Sequence, residues 1–225
     1  MDFEITTVDD SFEIEPIDLW QTQCFVTSNP YHSLQKESLL ASIYNDASST
    51  NVAIKSEVAT SAKQHLKESA LDFLTREDAD LQALNSFLSE LIVTVAADVN
   101  NGFWPEQANA EATITESWYH ITQQGGYHDA HSHPNCSWCG IYYVEPGDVD
   151  TDRKSGVNRF YDPRNNADHY LDAGSQYLNS TGILDMTPSE GQIVIFPSYL
   201  KHSALPYFGQ KDRVVIAFNA RVDFI

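Results

Sequence analysis

The sequence predicts an α+β fold, mostly β, in which N-terminal helices form a layer on a β core of jelly-roll type. Residues 33–101 carry apolar side chains at helical spacing, and from about residue 111 short apolar runs alternate with turn residues. Many short strands with turns between them are typical of sandwiches and barrels. A length of 225 residues suits one sizeable core. We therefore expect a single domain, with the strand and helical layer in 1–110 and the β core in 111–225.

The helical layer is predicted as two segments. Ser33 is a candidate cap for the first, and an apolar stripe follows it at helical spacing: Leu34, Leu39, Leu40 and Ile43. The second segment runs from Glu57 to Asn101, almost without glycine or proline. Thr75 and Asp78 within it are both good helix caps, which predicts a break and a restart there.

The β core is predicted from five apolar or aromatic runs, at residues 112–122, 138–144, 157–161, 192–196 and 214–222. Turn residues separate the runs, among them Gly125-Gly126 and Pro146-Gly147. A further short strand is predicted at 23–27, before the turn signal Ser28-Asn29-Pro30.

Composition argues against several function classes. The chain has 13 basic and 32 acidic residues, for a formal net charge of -19. Such a surface repels phosphate and anionic lipid, so we expect neither general nucleic-acid binding nor membrane association. No stretch reaches the roughly 18 apolar residues of a membrane helix, and Met1–Asp10 does not have the pattern of a signal peptide. Three cysteines make a poor disulfide framework, which favours a cytoplasmic protein.

The densest group of chemically active residues is the histidine cluster at Tyr127–Pro134. In a strand, alternate side chains share a face, so His131 and His133 would point the same way as Asp129, while His128 would face the opposite side. Two imidazoles at this spacing can share one metal ion, and imidazole suits iron, zinc, copper and nickel alike. A histidine-rich polar loop without a metal is the alternative interpretation.

A structural zinc site is the competing metal hypothesis. Cys136 and Cys139 follow the histidines in a CxxC pattern and could complete a set of four zinc ligands. Cys139 leads directly into an apolar strand, and in an extended chain residues three apart point to opposite faces. The two thiols should therefore diverge, which disfavours zinc.

His202 and Arg213 extend the pattern towards the C-terminus. A buried strand, Gln192–Phe196, and Pro197 precede His202, and only the fold can bring His202 near the cluster. Arg213 opens the apolar strand that ends at Asn219. A buried guanidinium needs a partner, and a carboxylate held by two hydrogen bonds is the usual one. A surface position at the strand edge is the alternative for Arg213.

Together these motifs resemble the 2-oxoglutarate- and Fe(II)-dependent oxygenases, in particular a bacterial and phage branch with HxHP and FPSxLxH motifs. The resemblance covers about residues 115–220. It implies a double-stranded β-helix (cupin-like jelly roll) that uses Fe(II), 2-oxoglutarate as cosubstrate and dioxygen. The implied reaction hydroxylates an amino-acid residue or small metabolite and releases succinate and CO2. The resemblance is also compatible with a homodimer.

The resemblance assigns roles to single residues. His131 and His202 match the two metal histidines of the family, and Arg213 matches the arginine that binds the 5-carboxylate of 2-oxoglutarate. Tyr143 matches a position that often donates a hydrogen bond to the same carboxylate.

One position departs from the family pattern, because His133 stands where the metal-binding carboxylate is usual. We expect a triad of His131, His133 and His202, with Asp129 and Asp162 as alternative carboxylate ligands. Asn219 shares strand parity with Arg213 and could line the same pocket. A three-histidine site also suits a cupin-like metalloprotein that does not use 2-oxoglutarate. A β-sandwich interaction protein without metal is the third hypothesis.

Overall fold

The computed structural model describes residues 21–49, 62–164, 172–174 and 182–225. In these ranges the helices are α1 (His32–Ser49), a 3-10 turn (Phe73–Thr75) and α2 (Ala79–Val99). The strands are β1 (Phe25–Ser28), β2 (Lys63–Glu68), β3 (Ala110–His131), β4 (Trp138–Glu145), β5 (Asn158–Tyr161), β6 (Ile183–Met186), β7 (Gln192–Pro197), β8 (His202–Ala204) and β9 (Arg213–Phe224). No helix in the described ranges is both long and apolar enough to cross a bilayer.

The strands form one curled antiparallel sheet in the order β1-β7-β4-β9-β3-β8-β5-β6, with β2 paired to β3. The long strand β3 organises this sheet, because it pairs with β9 along most of its length and with β8 at its end. Strand β8 is therefore paired with the end of β3 that carries the histidine cluster. This mostly β arrangement confirms the predicted fold class.

The helices cover one face of the sheet. Asp78 caps α2 by accepting hydrogen bonds from the backbone N–H groups of Asp80 and Leu81. The buried stripe of α2 packs with Tyr142 and Ile216 of the sheet and consists of Leu81, Leu84, Leu88 and Ile92. Apolar burial of this kind is the main stabilising contribution to such a layer.

The opposite face of the sheet encloses a second apolar cluster. Because successive residues of a strand point to opposite faces, Tyr142 faces the helices whereas Tyr143 packs with Val215 and Phe196 inside the curled sheet. Every residue of β4 is buried as a result. This inner face carries the functional side chains.

Five predicted strands are confirmed in β3, β4, β5, β7 and β9, and so is the restart of a helix after Asp78. The helix predicted from Glu57 is wrong over Lys63–Glu68, which forms β2. Its polar residues pair with β3, and this tertiary contact overrides their helical preference. Residues 57–61 lie outside the described part.

Two predictions of where elements begin and end are also wrong. Ser33 lies inside the first turn of α1, which begins at His32. Gly125 and Gly126 do not end a strand but lie within β3. Gly125 has a φ of 80°, a conformation that glycine adopts without strain, and the β2–β3 register shifts nearby between Gln64 and Leu66.

Candidate metal centre

Three histidines converge where β3 ends and β8 begins. His131 is the last residue of β3 and pairs directly with His202, the first residue of β8, with ring centroids 4.4 Å apart. His133 follows in the next turn, where its backbone N–H donates to the Ser198 carbonyl at 3.0 Å. One ring nitrogen from each histidine lies within 4.8 Å of the others. In the described ranges this is the group of side chains arranged to hold a metal ion.

Backbone carbonyls orient two of the three rings. His131 Nδ1 lies 2.7 Å from the Asp129 carbonyl oxygen, and His202 Nδ1 lies 3.1 Å from that of Leu200. A carbonyl only accepts hydrogen bonds, so each Nδ1 carries the proton and each Nε2 keeps its lone pair. This is the usual way in which proteins orient histidines towards a metal.

Burial keeps these histidines neutral. Desolvation lowers the pKa of His133 to about 4 and that of His202 to about 3, and it also lowers the pKa of His131. Neutral imidazole is the form that binds metals. The three rings are therefore ready to bind an ion at neutral pH.

The prediction that His128 faces away from the site is wrong. His128 is buried, and its ring stacks on that of His131 with centroids 3.8 Å apart. The register of β3 against β8 shifts between His128 and His131, so simple alternation does not hold there. His120 on the same strand also lines the cavity, and its Nε2 lies 3.2 Å from Glu68 Oε1. The sequence indicated only a core strand at this position.

In the described ranges neither of the two alternative carboxylates belongs to the group formed by the three histidines. Asp129 is exposed, and its carboxylate accepts from the Ala130 backbone N–H. Asp162 accepts hydrogen bonds from Arg164. Asn219 is buried but lies outside the cavity lining. Its Oδ1 accepts from the Cys139 thiol at 3.3 Å, and its Nδ2 donates to Glu116 Oε2 at 2.7 Å.

The two cysteines of the CxxC motif meet, contrary to expectation. Their Sγ atoms are 3.7 Å apart, because Cys136 lies in the turn before β4 and the chain is not extended between them. Cys139 lines the cavity beside the histidines, whereas Cys136 Sγ lies 3.9 Å from the His133 carbonyl oxygen. Both are free thiols.

Arg213 lies at the far end of the same cavity and is 3% exposed. Its guanidinium donates to Asn158 Oδ1 at 2.6 Å, and the Tyr143 hydroxyl donates to the same oxygen at 2.7 Å. The guanidinium carbon lies 5.4 Å from the centroid of the Tyr143 ring. Within the described ranges no carboxylate pairs with Arg213, and its Nε has no hydrogen-bond partner. The sequence offered no signal for Asn158 beyond its place in a predicted strand.

The cavity joins these groups along β9. Arg213, Val215 and Ala217 all line it because alternate residues of the strand share its inner face. Phe196 and Ile141 contribute apolar walls to the same cavity. The site therefore combines a neutral three-nitrogen cluster with a buried cation in one enclosure.

Comparisons with known proteins agree with this arrangement. Residues 116–219 match the family model described as "Putative 2OG-Fe(II) oxygenase". No curated protein matches the chain in sequence.

Solved structures share the fold. A prolyl-4-hydroxylase from Pseudomonas putida has a TM-score of 0.51 at 14% identity, over 89% of this chain and 93% of that chain. A prolyl hydroxylase from Trichoplax adhaerens, in complex with a hypoxia inducible factor peptide fragment, has a TM-score of 0.55 at 14% identity, over 87% and 83%. HygX from Streptomyces hygroscopicus, with nickel, 2-oxoglutarate and hygromycin B bound, has a TM-score of 0.58 at 13% identity, over 89% and 83%. The shared fold confirms the predicted jelly roll.

Proposed function

Because the chain belongs, through residues 116–219, to the 2-oxoglutarate- and Fe(II)-dependent oxygenases, we propose that His131, His133 and His202 hold its Fe(II) and that Arg213 holds its 2-oxoglutarate. The single observation that supports this most directly is the buried guanidinium of Arg213 in the same cavity as three neutral histidines.

The donor set fits Fe(II). Imidazole nitrogen is a normal ligand of iron, and three protein ligands leave positions open for a cosubstrate and for dioxygen. The carbonyls of Asp129 and Leu200 fix the tautomers of His131 and His202 that leave Nε2 available. His133, with a pKa of about 4, supplies the third nitrogen in place of the common carboxylate.

The Arg213 end fits a carboxylate of 2-oxoglutarate. Asn158 is a neutral acceptor, so it leaves the charge of the buried guanidinium uncompensated. A carboxylate would balance this charge and accept from Nε, which has no partner in the described part of the chain. The Tyr143 hydroxyl, already directed at Asn158 Oδ1, is placed beside the same position.

When bound, Fe(II) with 2-oxoglutarate and dioxygen supplies the oxidation of a C–H bond, with succinate and CO2 as coproducts. The protein's own residues orient the bound groups and shield the cavity from water. Arg213 and Tyr143 would anchor the cosubstrate, and the three histidines would hold the metal. Phe196, Ile141 and Val215 make the walls of the cavity apolar, which disfavours water there.

We propose a peptide residue or a small metabolite as the substrate. The structural relatives include a prolyl hydroxylase solved with a peptide fragment and HygX solved with hygromycin B, so the fold accommodates both classes of molecule. Free thiols at Cys24, Cys136 and Cys139 favour a reducing compartment, and we propose the cytoplasm.

The test is spectroscopic. Purified protein is loaded with Fe(II) without oxygen and titrated with 2-oxoglutarate, and a weak visible charge-transfer band should develop. Arg213→Met should lose the band at concentrations that saturate the wild type. Arg221→Met, which removes an exposed arginine from the same strand, should titrate like the wild type.

Two other outcomes would identify the alternatives. Stoichiometric Fe(II) without a response to 2-oxoglutarate would indicate a cupin-like metalloprotein. Substoichiometric metal that is unchanged in His131→Ala and His202→Ala would indicate a non-catalytic protein. His65→Asn, at an exposed histidine with a φ of 49° that asparagine tolerates, is the matched control.

A further inference from the structure

Two buried side-chain polar atoms in the described ranges lack a hydrogen-bond partner, Trp118 Nε1 and Arg213 Nε. Both residues line the same cavity as the three histidines. A buried donor without an acceptor costs free energy, so such a group in a native site indicates a partner that the protein itself does not provide. The carboxylate of 2-oxoglutarate proposed above would supply the acceptor for Arg213 Nε. Trp118 Nε1 still lacks an acceptor.

Trp118 lies at the end of the cavity opposite Arg213. On β3 it pairs with Ala217 of β9, whereas Arg213 pairs with Thr122. Four residues therefore separate the two levels, which is about 13 Å along a strand. Trp118 is 6% exposed, and its ring packs against that of His133 with centroids 5.6 Å apart.

The histidines lie between these two ends. Arg213 donates a hydrogen bond to Asn158, and Asn158 pairs with Ala204 at one end of β8. His202 lies two residues before Ala204, at the other end of β8. His133 Nε2 lies 3.4 Å from His202 Nε2 and places the cluster next to Trp118. A ligand that is anchored on Arg213 and reaches the metal cluster thus directs its other end towards Trp118.

We propose that the indole N–H of Trp118 donates a hydrogen bond to the 1-carboxylate of 2-oxoglutarate, the carboxylate next to its ketone. The inference rests on the proposed function and deepens it. An indole N–H is a donor only, so its partner must be an acceptor, and an anionic oxygen is the strongest one. The dicarboxylate offers two such ends, and Arg213 holds the other. Trp118 is then a binding residue for the cosubstrate, with its donor fixed by the packing on His133.

The experiment compares two ligands in the anaerobic Fe(II) protein. Pyruvate carries the ketone and 1-carboxylate of 2-oxoglutarate but lacks the 5-carboxylate. Trp118→Phe keeps an aromatic ring against His133 and removes the N–H, so it should raise the Kd of both ligands roughly fivefold to tenfold, the loss of one charge-assisted bond. Arg213→Met should weaken 2-oxoglutarate and leave pyruvate unchanged. Trp104→Phe, which alters a tryptophan outside this cavity, should match the wild type.

Each outcome decides the matter. Unchanged Kd values for both ligands in Trp118→Phe would overturn the proposal. The N–H would then serve another acceptor, such as the substrate whose C–H bond is oxidised. A wild type that binds Fe(II) but neither ligand would defeat the proposed function itself, and this inference with it. If Trp118→Phe fails to bind Fe(II), benzothienylalanine at position 118 replaces the N–H with sulfur and keeps the shape of the indole. The same rise in both Kd values is then required.

Discussion

The Arg213 guanidinium donates to Asn158 Oδ1 at 2.6 Å, a bond that joins β9 to β5 deep inside the curled sheet. A neutral amide thus faces a buried cation. Asparagine satisfies one donor without cancelling the charge, and this leaves the attraction for an incoming carboxylate intact. If Arg213 holds the cosubstrate as proposed, the identity of residue 158 controls whether this end of the cavity can accept a carboxylate.

Replacing Asn158 with aspartate should block the cosubstrate. Asn158→Asp places a carboxylate on the buried guanidinium and competes with 2-oxoglutarate for it, so the Kd should rise at least tenfold, about 1.4 kcal/mol. The metal-free variant should melt at or above the wild-type temperature, because the buried charge gains a partner. Titration of the charge-transfer band and thermal unfolding measure the two effects. Asn101→Asp, at an exposed position, controls for added charge, and wild-type affinity in Asn158→Asp would contradict the assignment of Arg213.

The metal-free protein should lose stability as the pH falls below about 6.5. Unfolded histidine has a pKa near 6.5, whereas burial lowers the pKa of His133 to about 4 and of His202 to about 3 in the folded chain. Between these values the unfolded state binds protons that the folded state does not, which favours unfolding. The stability that these two neutral histidines contribute to the folded state is fully present above pH 6.5, and it is completely lost only below pH 3.

Melting temperatures at pH 7.5 and pH 5 in the presence of a chelator test this expectation. The wild type should fall by several degrees, since about 1 kcal/mol shifts the melting temperature of a chain this size by roughly 2–4 °C. His202→Gln removes one titrating group, so its loss between the two pH values should be smaller. Loss of surface negative charge acts on both proteins alike. An equal or larger loss in His202→Gln would rule out His202 as a source of the effect.

Gly140 should tolerate no side chain. A Cβ at this position would overlap the ring of Phe218, its partner across the β4–β9 pair. Gly140→Ala should therefore destabilise the protein by about 1–3 kcal/mol, the usual cost of overpacking a core. Urea unfolding measures the change in the free energy of unfolding, with Gly174→Ala in an exposed loop as control. Wild-type stability in Gly140→Ala would show that the Phe218 ring moves freely.

Among the three cysteines, Cys136 should react first with iodoacetamide. The hydrogen bond from Cys139 lowers the pKa of Cys136, whereas the same bond and burial raise that of Cys139. Burial raises the pKa of Cys24 to about 11. Thiolate is the reactive form, so peptide mass spectrometry at pH 7.5 should find label on Cys136 before the others, and Cys136→Ser should lack the fast phase. Faster labelling of Cys24 would contradict these directions.

The parts of the fold that were predictable are those with a local signal. Strands β3, β4, β7 and β9 are apolar runs bounded by turn residues, and the cap at Asp78 has its own sequence pattern. Strand β2 has no such signal, since Leu66 is its one apolar residue and pairing with β3 holds it in place. Non-local pairing of this kind cannot be deduced from composition.

The candidate site was likewise predictable only where its residues carry a local sequence signal. The motifs drew attention to His131, His202 and Arg213, because each stands at a strand end or opens an apolar strand. The parity argument for His128 failed since the register of β3 shifts just before His131. Asn158 and Trp118 carried no signal beyond their places in predicted strands, because their importance lies in hydrogen bonds made or left unmade across the cavity.

The position of β9 also has a consequence for how the protein is made. It is the last strand along the described chain, yet it lies between β4 and β3 at the centre of the sheet. While the ribosome is still translating the earlier strands, β9, which joins β3 to β4, has not yet been made. Pairing between strands so far apart in sequence is also slow to form. Arg213 opens this same strand. The nascent chain therefore gains the central hydrogen-bond ladder of the sheet and the proposed carboxylate anchor, Arg213, in one event, and a partly translated chain has neither.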